Sequence, residues 1–227
     1  MAVTPSFQEL KNILKPMSWK DRVEYLWTYY KIVLVGLVGV AMLISIVATS
    51  IQNMQIQTLY SGILVSVQME AEQKESVIQD LTALFEGDGN KKVVALAEVT
   101  YIPGGDTANL EMNNAAAMKI TLLVAADSLD YILVDGDTYK ELIQFSSYQD
   151  LRNVLSAEQQ EMWKDHFLWK EAYEDTPSYP MALDITHTEF AKTAAPYEKE
   201  LYLVFVGNPD HLDRDRAFVD YIDNWTK

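Results

Sequence analysis

Four aspartates surround one short apolar run and are the residues best placed for chemistry. Asp127 and Asp130 precede residues 131–134, and Asp135 and Asp137 follow them. A short, continuously apolar run is typical of a strand covered on both faces. Since α/β sheets bind ligands outside the carboxyl ends of their strands, Asp135 and Asp137 are candidate contacts for a cation or an amine. Alternatively, they form a turn and a helix cap.

Aromatic side chains are concentrated in a second region, between residues 163 and 179. They are Trp163, Trp169, Tyr173 and Tyr179. These side chains either belong to a local core or form an exposed recognition surface, since aromatic anchors dominate the energetics of protein interfaces. Trp163, Trp169 and Tyr173 are therefore candidate contacts for a ligand or a partner.

The sequence contains no pattern that predicts an enzyme. The spacing of His166, His187 and His211 fits no zinc site, and the HExxH motif is absent. The chain has no cysteine, which excludes thiolate zinc sites and cysteine nucleophiles. The GxSxG, GxGxxG and Walker A patterns are also absent. We therefore expect a non-enzymatic protein that binds no metal and no cofactor.

Residues 32–51 form a run without a single charge, and twelve of these twenty residues are Leu, Ile or Val. As a helix the run would be about 30 Å long, the thickness of the hydrocarbon layer of a bilayer. It predicts a transmembrane helix. One alternative is a cleaved signal peptide, favoured by the small residues 48–50 and opposed by the length of the preceding segment. The other is a buried helix of a soluble protein.

Charge is distributed unevenly on the two sides of this run. Residues 1–31 carry five Lys or Arg and three acids, whereas the residues after 51 carry 13 basic and 30 acidic side chains, a net charge of −17. The positive-inside rule therefore predicts a cytoplasmic N-terminus and an extracellular C-terminal domain in the cell membrane. An acidic domain also argues against nucleic-acid binding.

Residues 18–31 predict an interfacial helix that leads into the run. Ser18 and Asp21 have the spacing of a helix N-cap. The segment is rich in aromatic residues, which prefer the headgroup level of a membrane, and ends in a lysine that can reach that level. The predicted membrane-interface anchors are Trp19, Trp27, Tyr29, Tyr30 and Lys31. The alternative is a docking helix for a partner subunit.

After residue 57, hydrophobic patterns of strand and helix type alternate. Strands are predicted at 59–69, 92–102, 131–134, 181–185 and 201–206, and helices at 71–85, 113–125, 157–173 and 215–225. Capping-box spacings predict helix starts at Thr138, Ser147 and Ser156. The alternation predicts an α/β domain with a mainly parallel sheet and flanking helices. The predicted domains are cytoplasmic interfacial helices (1–31), a transmembrane helix (32–51), a tether (52–57) and an extracytoplasmic α/β domain (58–227).

Three stretches carry a resemblance to a known family: the strand and helix at 59–85, the helix-strand-helix region at 115–155 and the closing LYLVFVGNPDHLDRDRAFVDYIDNW at 201–225. Their order resembles the extracytoplasmic solute-binding proteins of the type II periplasmic-binding fold. It is also similar to small membrane-anchored proteins of Gram-positive bacteria that carry such a domain behind one span. The resemblance implies one lobe of that fold plus a small second lobe within 156–197.

The resemblance implies a transport-related function. We expect an accessory subunit of a membrane complex, such as an ABC-type transporter, whose partners are the lipid bilayer and a permease or similar membrane protein. The alternative is a tethered solute-binding receptor that takes a small molecule.

Overall fold

The computed structural model describes most of the chain beyond residue 56 and little of what precedes it. The described residues are 14–22, 24–25, 27–28, 42, 45, 57–87, 89, 92–104, 107–144, 146, 148–172 and 176–225. The chain divides into two compact units, Met1–Gln55 and Ile56–Lys227.

In the first unit a helix begins after Ser18. The Ser18 hydroxyl accepts the N–H of Asp21 at 3.4 Å and donates to Asp21 Oδ2 at 2.7 Å, which confirms the predicted N-cap. Trp19 and Trp27 are exposed. The other predicted anchors, Tyr29, Tyr30 and Lys31, lie outside the described residues.

Within the described residues, no helix combines the length and the apolar composition that crossing a membrane requires. This finding contradicts the prediction of a single-pass membrane protein with a cytoplasmic N-terminus and an extracellular domain. The predicted span, residues 32–51, lies outside the described residues except for Met42 and Ser45, which are helical and exposed.

The second unit is built on one six-stranded sheet. Its strands are β1 (Gln57–Val65), β2 (Lys92–Val99), β3 (Tyr131–Asp135), β4 (Phe167–Lys170), β5 (Tyr179–Asp184) and β6 (Leu201–Phe205). They lie in the order β2-β1-β3-β6-β5-β4. β1 pairs in parallel with β2 and β3, whereas β3–β6, β6–β5 and β5–β4 are antiparallel. The prediction of a mainly parallel sheet is therefore wrong: most pairings are antiparallel.

The error comes from residues 156–197, which were expected to form a small second lobe. They instead supply β4 and β5 to the same sheet. The predicted helix at 157–173 ends at Trp163, a 3₁₀ turn follows, and Phe167 enters β4 with extended backbone. Only residues 171–178 join β4 to β5, and a connection this short suits antiparallel strands, because parallel ones need a longer crossover.

Helices cover both faces of the sheet. They are α1 (Ala71–Leu84), α2 (Leu110–Ala125), α3 (Gly136–Thr138), α4 (Leu151–Val154), α5 (Ala157–Trp163), α6 (Glu189–Ala194) and α7 (Leu212–Asp223). A π-helical segment, Tyr139–Ile143, continues α3. The predicted capping box of Ser156 and Gln159 is confirmed at α5. The predicted cap at Thr138 is wrong, since Asp135 caps α3, and Ser147 lies outside the described residues.

Two hydrophobic layers hold the sheet between the helices. On one face, Leu64 and Leu133 pack with Leu81 of α1 and with side chains of α5, α6 and α7. On the other face, Ile63 and Ile132 pack with residues of α2 and of the π-helical segment. The crossovers through α1 and α2 therefore lie on opposite faces of the parallel strands, which determines where a ligand site can form.

Candidate functional site

The carboxyl ends of β1 and β3 form a topological switch point. The chain leaves β1 through α1 and reaches β2 on one side, then crosses the opposite face through α2 to reach β3 on the other side. The connections that follow β1 and β3 consequently diverge. In α/β sheets, ligands bind in the crevice that such a divergence opens outside the carboxyl ends of the strands.

An open groove occupies this position. It consists of cavities of about 680 and about 590 Å³, which share Asp135, Asp137, Tyr197 and Glu198 in their walls. We call it the switch-point groove; it is lined by residues 66–70, 98–103, 135–137, 140 and 197–200. Three of its segments directly follow or end the parallel strands. Lys140 lies in the π-helical segment, and residues 197–200 precede β6.

The lining of the groove is strongly acidic. Two lysines, Lys140 and Lys199, face six carboxylates: Glu70, Glu98, Asp135, Asp137, Glu198 and Glu200. Lys140 Nζ donates to Glu200 Oε2 at 2.9 Å, and this hydrogen bond lowers the pKa of Glu200. The arrangement therefore favours a positively charged ligand.

Asp135 has different environments at its two carboxylate oxygens. Oδ1 accepts the backbone N–H groups of Asp137 at 3.0 Å and Thr138 at 3.1 Å, which caps α3. Oδ2 is buried and has no hydrogen-bond partner. A buried acceptor without a donor is costly, so a ligand that donates to Oδ2 would recover that cost. The helix-cap interpretation of Asp135 is thus confirmed, and the cation contact stays a prediction.

The segment 197–200 lies across the groove and is tied to the β1–α1 connection. The backbone N–H of Gln68 donates to Glu198 Oε1 at 2.8 Å, and the Tyr197 hydroxyl donates to Glu70 Oε1 at 3.3 Å. Burial, with a smaller effect of the Asp135 charge, raises the pKa of Glu198. Carboxylates from distant parts of the chain thus line the same groove, which favours a cation between them.

Gly136 permits the close approach of this segment to α3. A Cβ at this position would lie 2.0 Å from Glu200 Oε2 and 2.8 Å from Glu200 Cβ. Any larger residue would displace Glu200, and with it the ion pair to Lys140. The Asp-Gly-Asp sequence therefore serves both the cap and the shape of the groove.

Neither Trp163 nor Trp169, two of the predicted aromatic contacts, joins the groove. Trp163 is buried and packs against His166 and His187, with ring centroids 5.8 and 5.3 Å away. Trp169 is exposed on the edge strand β4. Tyr173 lies outside the described residues.

A second acidic cluster lies at the amino ends of β1 and β3, and it is buried. Asp130 accepts the N–H of Ser61 at 2.7 Å and contacts His211 Nδ1 at 2.6 Å. The Tyr60 hydroxyl donates to Asp215 Oδ1 at 2.6 Å. Asp215 is only 1% exposed, and its burial raises its pKa to about 7. These side chains satisfy one another and support the core.

Sequence reasoning missed most residues of both clusters. Glu98 and Glu70 could have been found, since they end or follow parallel strands and meet at the same sheet edge as Asp135. Glu198 and Tyr197 precede a strand that runs the opposite way, and no local pattern marks them. Asp215 was read only as the start of an amphipathic helix.

In the described part of the chain, no three His, Asp or Glu side chains converge to hold a metal ion. Comparisons with protein-family models, with characterised proteins and with solved structures find no match to this chain.

Proposed function

We propose that the protein is a non-enzymatic binding protein whose switch-point groove receives a positively charged segment of a partner protein. The observation that carries this proposal is the buried, unpartnered Oδ2 of Asp135 inside a groove lined by five further carboxylates. Lysine and arginine side chains carry N–H donors that can satisfy this oxygen and neutralise the surrounding charge.

The form of the groove favours a protein segment over a small molecule. Small-molecule pockets are mostly apolar and enclose most of the ligand surface. Glu70, Glu98, Asp137 and Tyr197 are instead exposed along the groove, and its two cavities continue into one another. Such a surface suits an extended chain with spaced positive charges.

A small cationic molecule, such as a polyamine, is the second candidate. A cavity of about 680 Å³ lies within the usual range of ligand pockets. The narrower expectation of an accessory subunit of an ABC-type transporter rests on the sequence resemblance alone and stays a prediction. Membrane attachment is not part of the proposed function.

Charge-neutral variants of the full-length chain test the proposal. The double variant Asp137→Asn/Glu198→Gln should weaken binding of a lysine-rich peptide about tenfold, since each lost charge–charge contact contributes up to about 1 kcal/mol. The matched control is Asp213→Asn, whose side chain is fully exposed and lies outside the groove.

Titrations by calorimetry with the peptide and with spermidine separate the two candidates. If the double variant binds the peptide as tightly as the control does, the groove is not the binding site. If only spermidine binding depends on the groove, the second candidate replaces the first.

A further inference from the structure

The outer face of α2 exposes several large apolar side chains. Three large apolar side chains on this face are between 40 and 64% exposed: Met112, Met118 and Leu122. Its inner face buries Ala116 and Ile120 against the sheet. Exposed apolar side chains that are grouped on one helix face suit a protein contact.

The residues of this face are arranged symmetrically about Ala115. Glu111 and Lys119 lie four positions before and after it, and Met112 and Met118 lie three positions before and after it. At about 100° per residue, all of these side chains fall within about 60° of Ala115 around the helix. All five residues are exposed.

We propose that α2 of a second copy of this chain packs antiparallel on this face, about a two-fold axis at Ala115. This arrangement places Glu111 of each copy opposite Lys119 of the other, so two ion pairs flank the axis. Met112 then faces Met118 of the other copy. Identical copies most often associate in this isologous way, and the face is complementary to itself in charge.

Lys119 keeps N–H donors that can make the contact. Its Nζ donates to the Glu98 carbonyl oxygen at 2.9 Å, and an ammonium group has two further N–H donors. At the axis, the small side chain of Ala115 lets the two helices approach closely. None of these residues lines the switch-point groove, so the dimer proposal does not rest on the proposed function.

Engineered thiols test the dimer cleanly, because the chain has no cysteine. In the full-length Ala115→Cys variant, two thiols meet at the axis, and mild oxidation should give a covalent dimer on a non-reducing gel. The matched control is Thr121→Cys, an exposed position of the same helix about 120° away from Ala115.

The charges of the face supply the second measurement. Adding Glu111→Lys to Ala115→Cys should lower the dimer yield about tenfold, since two attractions become two repulsions. Adding Lys119→Glu to that variant should restore the yield.

Equal cross-linking of Ala115→Cys and Thr121→Cys would overturn the proposal. A low yield of covalent dimer in the variant that carries both Glu111→Lys and Lys119→Glu would also overturn it. A covalent product that differs from twice the 25.8 kDa of the chain would assign the face to another protein instead.

Discussion

Two acidic clusters lie at opposite ends of the same two strands, β1 and β3. At the amino ends, Asp130 and Asp215 are buried, and their hydrogen bonds come from within the domain. At the carboxyl ends, the acids are largely exposed, and Asp135 keeps one oxygen without a partner. The difference teaches that the carboxyl groups at one end are used within the domain itself, whereas those at the other end remain available for a ligand.

The largest expected effect concerns the pH dependence of stability at the buried end. The pKa of Asp215 is raised from 3.8 to about 7 in the folded state, so between these values only the folded state holds the proton. The stabilisation is therefore complete below pH 3.8, is lost as the pH rises towards 7, and stays lost above it. A shift of this size corresponds to about 4 kcal/mol in the free energy of unfolding.

Urea denaturation of the full-length chain between pH 4 and pH 8 measures this effect. The Asp215→Asn variant, which cannot ionise, should lose less stability than the wild type over this range. Tyr60→Phe removes a hydrogen bond that lowers the pKa of Asp215, so its pH dependence should extend to higher pH. Parallel curves for wild type and Asp215→Asn would show that this carboxyl does not titrate as described.

A smaller effect is expected at Gly62, which supports the buried end. A Cβ at this position would lie 2.1 Å from Cζ of Tyr131, whose ring crosses over β1. Gly62→Ala should therefore lower the free energy of unfolding by about 3 kcal/mol through overpacking.

The double variant Gly62→Ala/Tyr131→Leu is the control, because leucine lacks the clashing ring atoms. The cost of Gly62→Ala should be much smaller in this background than in the wild type. An equal cost in both backgrounds would point to a backbone effect at position 62 and not to the ring.

At the exposed end, the effects on stability should be small and those on binding larger. Asp135→Ala removes the cap of α3 and should cost about 1 kcal/mol. Asp135→Asn keeps a capping side chain and should change stability by less than about 0.5 kcal/mol. Both variants should weaken binding of the lysine-rich peptide. A large loss of stability in Asp135→Asn would place this residue with the buried cluster.

The smallest effect on the fold is expected from a cross-linking probe, which distinguishes binding at the groove from binding at the edge strand β4. Tyr197 and Trp169 are exposed to a similar degree, 64 and 55%, on different parts of the domain. A photoreactive phenylalanine at either position should leave the fold intact. We expect cross-links to the lysine-rich peptide from position 197 and none from position 169, read by mass spectrometry. Cross-links from 169 alone would move the site to β4.

Part of this fold follows from local sequence patterns. The continuous apolar run at 131–134 predicts β3, and the spacing of Ser156 and Gln159 predicts the start of α5, because these signals depend on neighbouring residues. Asp135 was found in the same way, by its position after a buried strand.

The rest depends on contacts between distant segments. The prediction of a helix through Phe167 failed because the 3₁₀ turn at Lys164–His166 redirects the chain into β4, an edge strand that depends on its pairing with β5 and not on a local pattern. The prediction of a mainly parallel sheet failed for the same reason, since the direction of a strand is decided by its pairing and not by its composition. Glu198 could not be placed beside Asp135 because 62 intervening residues fold before they meet.

The single side chain of Asp135 links the first turn of α3 to whatever occupies the groove. A ligand that hydrogen-bonds to Oδ2 restrains the same carboxyl group that accepts hydrogen bonds from the backbone N–H groups of Asp137 and Thr138. Ligand binding in the switch-point groove should consequently slow deuterium uptake at these two amides, although neither amide contacts the ligand. The exchange rate of the two capped amides would thus report whether a ligand occupies the groove.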